Sequence, residues 1–243
     1  MKTSIKKQTV LFLVTLLFVT TSHAQWKKIK GNGNKTKITR TTSEYDGIKC
    51  AGSFDFILIY GEEGKISIEG EENLLEYIIT EVKDNNLIIK TQKGIDLKTS
   101  FNKGIKITIP FKDISEMSLA GSGDLWNIDR INSENFEVSL SGSGDVILDI
   151  NTNYLKASIA GSGDLTLKGN TTNLDAKVAG SGDLHGFDLK SNNTDISLAG
   201  SGEAKVNSKD NLKARVAGSG DIVYKGNPKT DTKVSGSGSI TNN

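Results

Sequence analysis

The chain has 243 residues, 24% of them charged, and a formal net charge of +1. Nucleic acids and anionic lipids bind to concentrated basic surfaces, so this balance argues against either as the main partner. The single cysteine, Cys50, excludes an intrachain disulfide, and its spacing from Ile48 predicts a buried apolar side chain.

Residues 1–24 have the order of a secretory signal peptide. Three lysines precede an apolar run over 10–19, which is followed by small residues up to Ala24. We therefore predict export with cleavage after Ala24. The apolar run is too short to span a bilayer, so we expect no membrane-spanning segment in the mature protein. Cleavage would remove three lysines and no acids, which changes the net charge from +1 to −2.

Two segments of different character come next. Residues 25–44 are rich in Lys, Gly and Asn with little periodicity, which predicts a flexible leader. Residues 45–110 contain short β-branched runs and one stretch, 73–82, with apolar residues at helical spacing. This pattern predicts a divergent β region with one short helix. Residues 48–56 align with the later repeats if Phe54 takes the place of their second glycine.

Residues 111–243 contain seven copies of Gly-Ser-Gly, 18 to 21 residues apart, and most copies continue with Asp. Apolar residues two positions before and four positions after each first glycine alternate with polar ones, as in half-buried strands. Such strands must stack to bury their apolar faces, which predicts an all-β solenoid of one coil per repeat of about 19 residues. A hairpin-based sandwich or propeller would need turns every 8–12 residues or so, or blades of about 40 residues.

Both glycines of each copy are predicted to be structural. A corner in the chain would require the positive φ that glycine tolerates, whereas a straight strand would require glycine where two walls of a narrow coil approach. Stacking would also align the serines between them, whose hydroxyls could hydrogen-bond along the ladder. The glycines are Gly121, Gly123, Gly142, Gly144, Gly161, Gly163, Gly180, Gly182, Gly200, Gly202, Gly218, Gly220, Gly236 and Gly238.

An acidic residue follows the second glycine in six copies, and stacking would bring these like charges together at a cost. One explanation is that each carboxylate accepts a hydrogen bond from its own turn and is solvated. We favour it, and predict no metal site, because turn chemistry explains Gly, Ser and Asp together. The alternative is divalent cations along the column, as in calcium-loaded repeats, although those recur about every nine residues. This acidic column is Asp124, Asp145, Asp164, Asp183, Glu203 and Asp221.

With these features the chain resembles the head GIN domain family, autotransporter-adhesin-like proteins exported by Bacteroidetes. The resemblance runs from about Tyr45 to the end. It rests on the order of 48–56, the helical stretch 73–82, the alternating run 105–110, the repeats, and 224–228 before the last copy. It implies a right-handed parallel β-helix similar in shape to pectin lyases, without a known catalytic set. It also implies a role in adhesion in the periplasm or at the surface of a Gram-negative cell.

Three functions remain open at this stage. A carbohydrate-active enzyme of pectin-lyase-like fold would need a local cluster of unlike groups, whereas this array repeats one group per coil and has one histidine, His185. We therefore predict no enzyme and no cofactor. A solenoid that binds a glycan or an envelope protein suits the repetitive faces, and Trp126 and Tyr224 could stack on sugars or pack within the coil. The third is a structural envelope component, stabilised by calcium or assembled as a homo-oligomer.

Overall fold

The computed structural model describes residues 26–100 and 104–243, so the predicted signal peptide lies outside the described residues. Ten elements precede the array in chain order. They are β1 (Lys27–Lys30), β2 (Lys35–Thr41), β3 (Gly47–Gly52), β4 (Asp55–Tyr60), β5 (Lys65–Glu71), α1 (Glu72–Leu75), β6 (Ile78–Lys83), β7 (Asn86–Thr91), β8 (Ile95–Lys98) and β9 (Lys106–Phe111).

The array itself consists of ten strands, several of which run the length of a coil. They are β10 (Glu116–Gly121), β11 (Leu125–Asn127), β12 (Ile131–Gly142), β13 (Val146–Gly161), β14 (Leu165–Gly180), β15 (Leu184–Gly200), β16 (Glu203–Gly218), β17 (Asp221–Lys225), β18 (Lys229–Gly236) and β19 (Ile240–Asn242). Each pairs in parallel with its counterpart in a neighbouring coil. The predicted all-β solenoid with coils about 19 residues apart is confirmed.

The register of the stack is set by the first glycine of each copy. Gly121 is opposite Gly142, and the same position pairs glycine with glycine in every later coil. The apolar column two residues earlier points inward and is almost fully buried from Leu119 to Val216. In the last described coil the same position, Val234, is 41% exposed, since it is covered by a neighbouring coil on one side only. Burial of these columns is the main apolar stabilisation of the stack.

The first coil of the stack is made by β3 and β4. Gly52 is opposite Gly121, and Phe56 is opposite Leu125, which confirms the alignment of 48–56 with the repeats. The layer on its other side is formed by β7, which pairs with β3, and β9, which pairs with β4. Antiparallel strands then close this end: β6 lies on β7, β5 on β9, and β2 on β5.

The predicted short helix is present as α1, but its predicted extent over 73–82 is wrong. Only α1 is helical, with Leu74 and Leu75 buried, and Ile78 begins β6. A helix of about three turns is marginal in water, whereas β6 gains a six-residue antiparallel ladder with β7. The apolar residues that suggested helical spacing include Ile78, which is buried from the strand instead.

The segment predicted as a flexible leader contains two strands, β1, which pairs with β8, and β2, which pairs with β5. The buried carboxylate of Glu71 accepts hydrogen bonds from the amide of Gly33 at 2.6 Å and from the amide and hydroxyl of Ser100 at 2.7 Å. The guanidinium of Arg40 donates to the carbonyls of Leu75, at 2.6 Å, and Ile78. The segment is therefore held mainly by hydrogen bonds. Because these do not require buried apolar side chains, the sequence of the segment shows no apolar periodicity.

Candidate functional site

The Gly-Ser-Gly turn combines a corner with a close approach of stacked coils. The first glycines have φ between +124° and +139°, which only glycine adopts readily. The second glycines have no such φ, but a Cβ on Gly163 would lie 2.1 Å from the carbonyl oxygen of Gly144. The crowding therefore comes from the preceding coil and not, as one reading of the sequence expected, from the opposite wall of the same coil. The serine side chains are exposed, and it is their amides that bond the preceding coil, as Ser162 does to Gly142 at 2.8 Å.

The carboxylates of the acidic column join one coil to the next. Asp164 accepts a hydrogen bond at Oδ1 from the amide of Asp183 at 2.9 Å, and Asp183 accepts one from the amide of Glu203 at 2.7 Å. The same bond links Asp124 to Asp145 and Asp145 to Asp164, at 3.1 Å in both cases. The donor is thus the following coil rather than the residue's own turn, which corrects the arrangement expected from the sequence. Hydrogen bonds to ionised acceptors are among the stronger ones, and they offset the repulsion between neighbouring charges.

Repulsion between carboxylates contributes, after burial, to the raised pKa of Asp55 at the start of the stack. Burial, and after it the charge of Asp124, raise the pKa of the Asp55 carboxyl above its ordinary value, while the Asp124 amide and Lys106 act in the opposite direction. The ladder of amide bonds changes at Glu203, whose longer side chain accepts from the ammonium of Lys205 at 2.6 Å. The next amide, of Asp221, donates to the carbonyl of Gly202 instead.

One group of three metal-capable side chains occurs within residues 26–100 and 104–243. Asp164, Asp183 and His185 each offer a ligand atom, and these atoms lie within 4.8 Å of one another. Nε2 of His185 is 3.8 Å from Oδ2 of Asp164. All three side chains are half-buried, at the turn and the first residues after it.

A groove of about 560 Å³ crosses the coils on the strand segments that precede the turns. One wall is an amide column of Asn173, Asn193 and Asn211. Asn193 donates its side-chain NH₂ to Oδ1 of Asn173 at 3.0 Å, and Asn211 donates to Oδ1 of Asn193 at 2.7 Å. The amides therefore form one continuous chain that presents the remaining polar atoms along the wall.

A charged column runs beside the amide column, two residues further along each strand, and consists of Asp175, Asp195, Lys213 and Asp231. The ammonium of Lys213 lies 2.7 Å from Oδ2 of Asp195. Tyr154, 40% exposed, closes one end of the groove, with its hydroxyl 3.4 Å from Oδ2 of Asp175. Burial, and after it the Asp175 carboxylate, raise the pKa of Tyr154, so its phenol stays protonated and donates.

The aromatic residues singled out from the sequence occupy other positions. Trp126 is half-buried in a column between Ile57 and Ile147, and Tyr224 packs against the core. Sequence reasoning missed Tyr154, although its position seven residues before the first glycine holds asparagine in the next three coils. A polar column with one aromatic member was the available signal.

No helix among the described residues is long and apolar enough to cross a membrane.

Comparisons with known proteins agree on one family. A family model described as "Putative auto-transporter adhesin, head GIN domain" matches residues 44–228. No curated protein is similar enough to count as a match. A crystal structure from Bacteroides fragilis, called a putative adhesin, is 26% identical with a TM-score of 0.82 and covers 88% of this chain and 100% of its own.

Two structures from Parabacteroides are also similar. One from Parabacteroides distasonis, called a putative lipid binding protein, is 30% identical with a TM-score of 0.75, and the match covers 89% of this chain and 100% of that one. One from Parabacteroides merdae, called a putative adhesin, is 24% identical with a TM-score of 0.70, over 89% of this chain and 99% of that one, and shows the fold alone.

Proposed function

Because the chain belongs to the family of putative auto-transporter adhesins with a head GIN domain, we propose that it is an exported, non-enzymatic adhesin that binds a polysaccharide along the groove. The observation that carries this proposal is the pairing of a continuous amide column with carboxylates and an exposed tyrosine. Sugars are bound by such groups, because amides and carboxylates hydrogen-bond to hydroxyls while an aromatic ring covers the apolar face of a pyranose.

The repeat of the groove suits a repetitive ligand. Its lining comes from every coil between Tyr154 and Thr230, which is four steps of about 4.8 Å each, or about 19 Å of extended wall. The three central coils each offer an asparagine and a charged side chain to successive units of a polymer, as the repeated faces of other solenoids do. A binding role is also favoured over catalysis because the three carboxylates of the charged column are already engaged, Asp175 by Tyr154, Asp195 by Lys213 and Asp231 by Arg215.

A glycan microarray of bacterial and host polysaccharides tests the proposal. We expect the protein to give saturable signals that Tyr154→Ala weakens strongly. Tyr60→Ala is the matched control, since Tyr60 is 63% exposed but ends β4, outside the groove. Equal losses in both variants, or no saturable signal for any polysaccharide, would contradict a glycan-binding groove. Product release from a bound polysaccharide would contradict the non-enzymatic part.

Export is tested separately. The protein is produced with its own leader in a Gram-negative host, and the material outside the cytoplasm is sequenced from its N-terminus. We expect Gln25 as the first residue. Retention in the cytoplasm with residues 1–24 intact would contradict export.

A further inference from the structure

We propose that Asp164, Asp183 and His185 form a binding site for one divalent cation of the zinc class. The inference is independent of the glycan proposal, because none of the three residues lines the groove. It also departs from the sequence-based expectation of no metal. The three ligand atoms already lie within 4.8 Å of one another, in a chain whose array has this single histidine.

The distances suit a small cation. Zinc bonds to nitrogen and oxygen are about 2.0–2.2 Å long, so two ligand atoms of a tetrahedral site are about 3.3 Å apart. The Nε2–Oδ2 distance of His185 and Asp164 is 3.8 Å, and no two of the three ligand atoms are more than 4.8 Å apart, so side-chain rotations that bring them about 0.5–1.5 Å closer reach this geometry. Both side chains are about two-fifths exposed, at 39% and 43%, so they have room to rotate and water can complete the coordination.

The position of both carboxylates is fixed by the stack. Oδ1 of Asp164 is held by the amide of Asp183, and Oδ1 of Asp183 by the amide of Glu203. Each carboxylate has a second oxygen for the cation, and the amide bonds reduce the rotamer freedom lost on binding. Second-shell bonds of this kind orient the ligands of known metal sites.

His185 determines which cation the site prefers and which coil holds the site. Neighbouring coils place Ile147, Thr166 and Lys205 in the column of His185, and none of these is a usual zinc ligand. A carboxylate pair without imidazole suits calcium or magnesium, whereas imidazole with carboxylates suits zinc and its neighbours in the first transition row. The ammonium of Lys205, in the next coil, is paired with the Glu203 carboxylate at 2.6 Å, which offsets its charge near the site. The site is therefore a single one, not a column of cations.

Calorimetric titration of the untagged protein with zinc chloride, together with the visible spectrum of a cobalt titration, tests the inference. We expect one equivalent of zinc to bind, and cobalt to give the absorption of a low-coordinate site with a nitrogen ligand. His185→Thr should lower the zinc affinity by about tenfold or more. This variant copies Thr166 of the preceding coil and is expected to fold, which its circular dichroism checks.

Asp145→Asn is the matched control. It changes a carboxylate of the same ladder that lies outside the triad and keeps an oxygen to accept the Asp164 amide. We expect it to bind zinc as the unmodified protein does. Zinc affinity unchanged in His185→Thr, absence of saturable binding, or displacement of zinc by millimolar calcium would each overturn the inference.

Discussion

The second glycine of an internal coil gives the sharpest test of how the stack is held. In Gly163→Ala the new Cβ would lie 2.1 Å from the carbonyl oxygen of Gly144, whereas real Cβ contacts are essentially never under 3.0 Å. The two coils must then separate by about 1 Å at this turn. That movement stretches the bonds from the amides of Ser162 and Gly163 to the carbonyl of Gly142, now 2.8 and 3.0 Å.

The magnitude follows from these contacts. Two weakened hydrogen bonds cost about 1 kcal/mol each, and overpacking of a close-packed site adds about 1–3 kcal/mol. We therefore expect Gly163→Ala to lower the free energy of unfolding by about 3–5 kcal/mol. The backbone at Gly163 has ordinary φ, so the cost is steric alone. Gly161→Ala should cost more, because φ at Gly161 is +134° and a second, conformational penalty is added.

Urea unfolding followed by circular dichroism measures the effect. Ser162→Ala is the control, because Ser162 lies between the two glycines with an exposed side chain. It should change the free energy of unfolding by no more than about 0.5 kcal/mol. If Gly163→Ala proved as stable as Ser162→Ala, the close approach of stacked coils would not be what requires glycine, and the reasoning would be refuted.

Three further experiments test other parts of the structure. Glu71→Ala leaves three donors at the N-terminal end unsatisfied, and should destabilise by about 3–5 kcal/mol in urea unfolding, whereas Glu69→Ala, an exposed acid of the same strand, is the control and should change stability little. Asp55→Asn should stabilise the protein at pH 7. The pKa of Asp55 is raised in the folded state, so ionisation of its carboxyl lowers the free energy of unfolding at any pH above that pKa. The gain should vanish once the pH falls below the pKa of the unfolded state, and a gain that persisted in acid would contradict this. Cys50 is 2% exposed and burial raises the pKa of its thiol, so a thiol reagent should react with it only after unfolding, and rapid reaction of the native protein would contradict its burial.

The stack was predictable because its determinants are local and repeated. The glycine period and the apolar columns define coil length, register and interior, and the divergent copy at 48–56 could be aligned by the same columns. Phe54 is tolerated there because β7 and β9, on the other side of this first coil, carry no Gly-Ser-Gly turn. A side chain is excluded from the second glycine position only where another such turn lies against it.

The N-terminal end was not predictable in the same way. The strands β2 and β6 form by antiparallel pairing with β5 and β7, and no local sequence pattern indicates this pairing. Buried Glu71 appears in the sequence as one acid among many, since its role depends on donors 29 and 38 residues away. The partners of the acidic column were missed for a related reason: a donor in the next coil is a property of the stack, not of the turn.

An NMR titration of the protein with the oligosaccharide that gives the strongest array signal locates the binding surface residue by residue. Binding along the groove predicts shifts of backbone and side-chain amide signals concentrated at Tyr154, Asn173, Asn193 and Asn211. Shifts confined to the surface around Tyr60 would contradict binding along the groove, and would move the adhesive surface to the N-terminal coils.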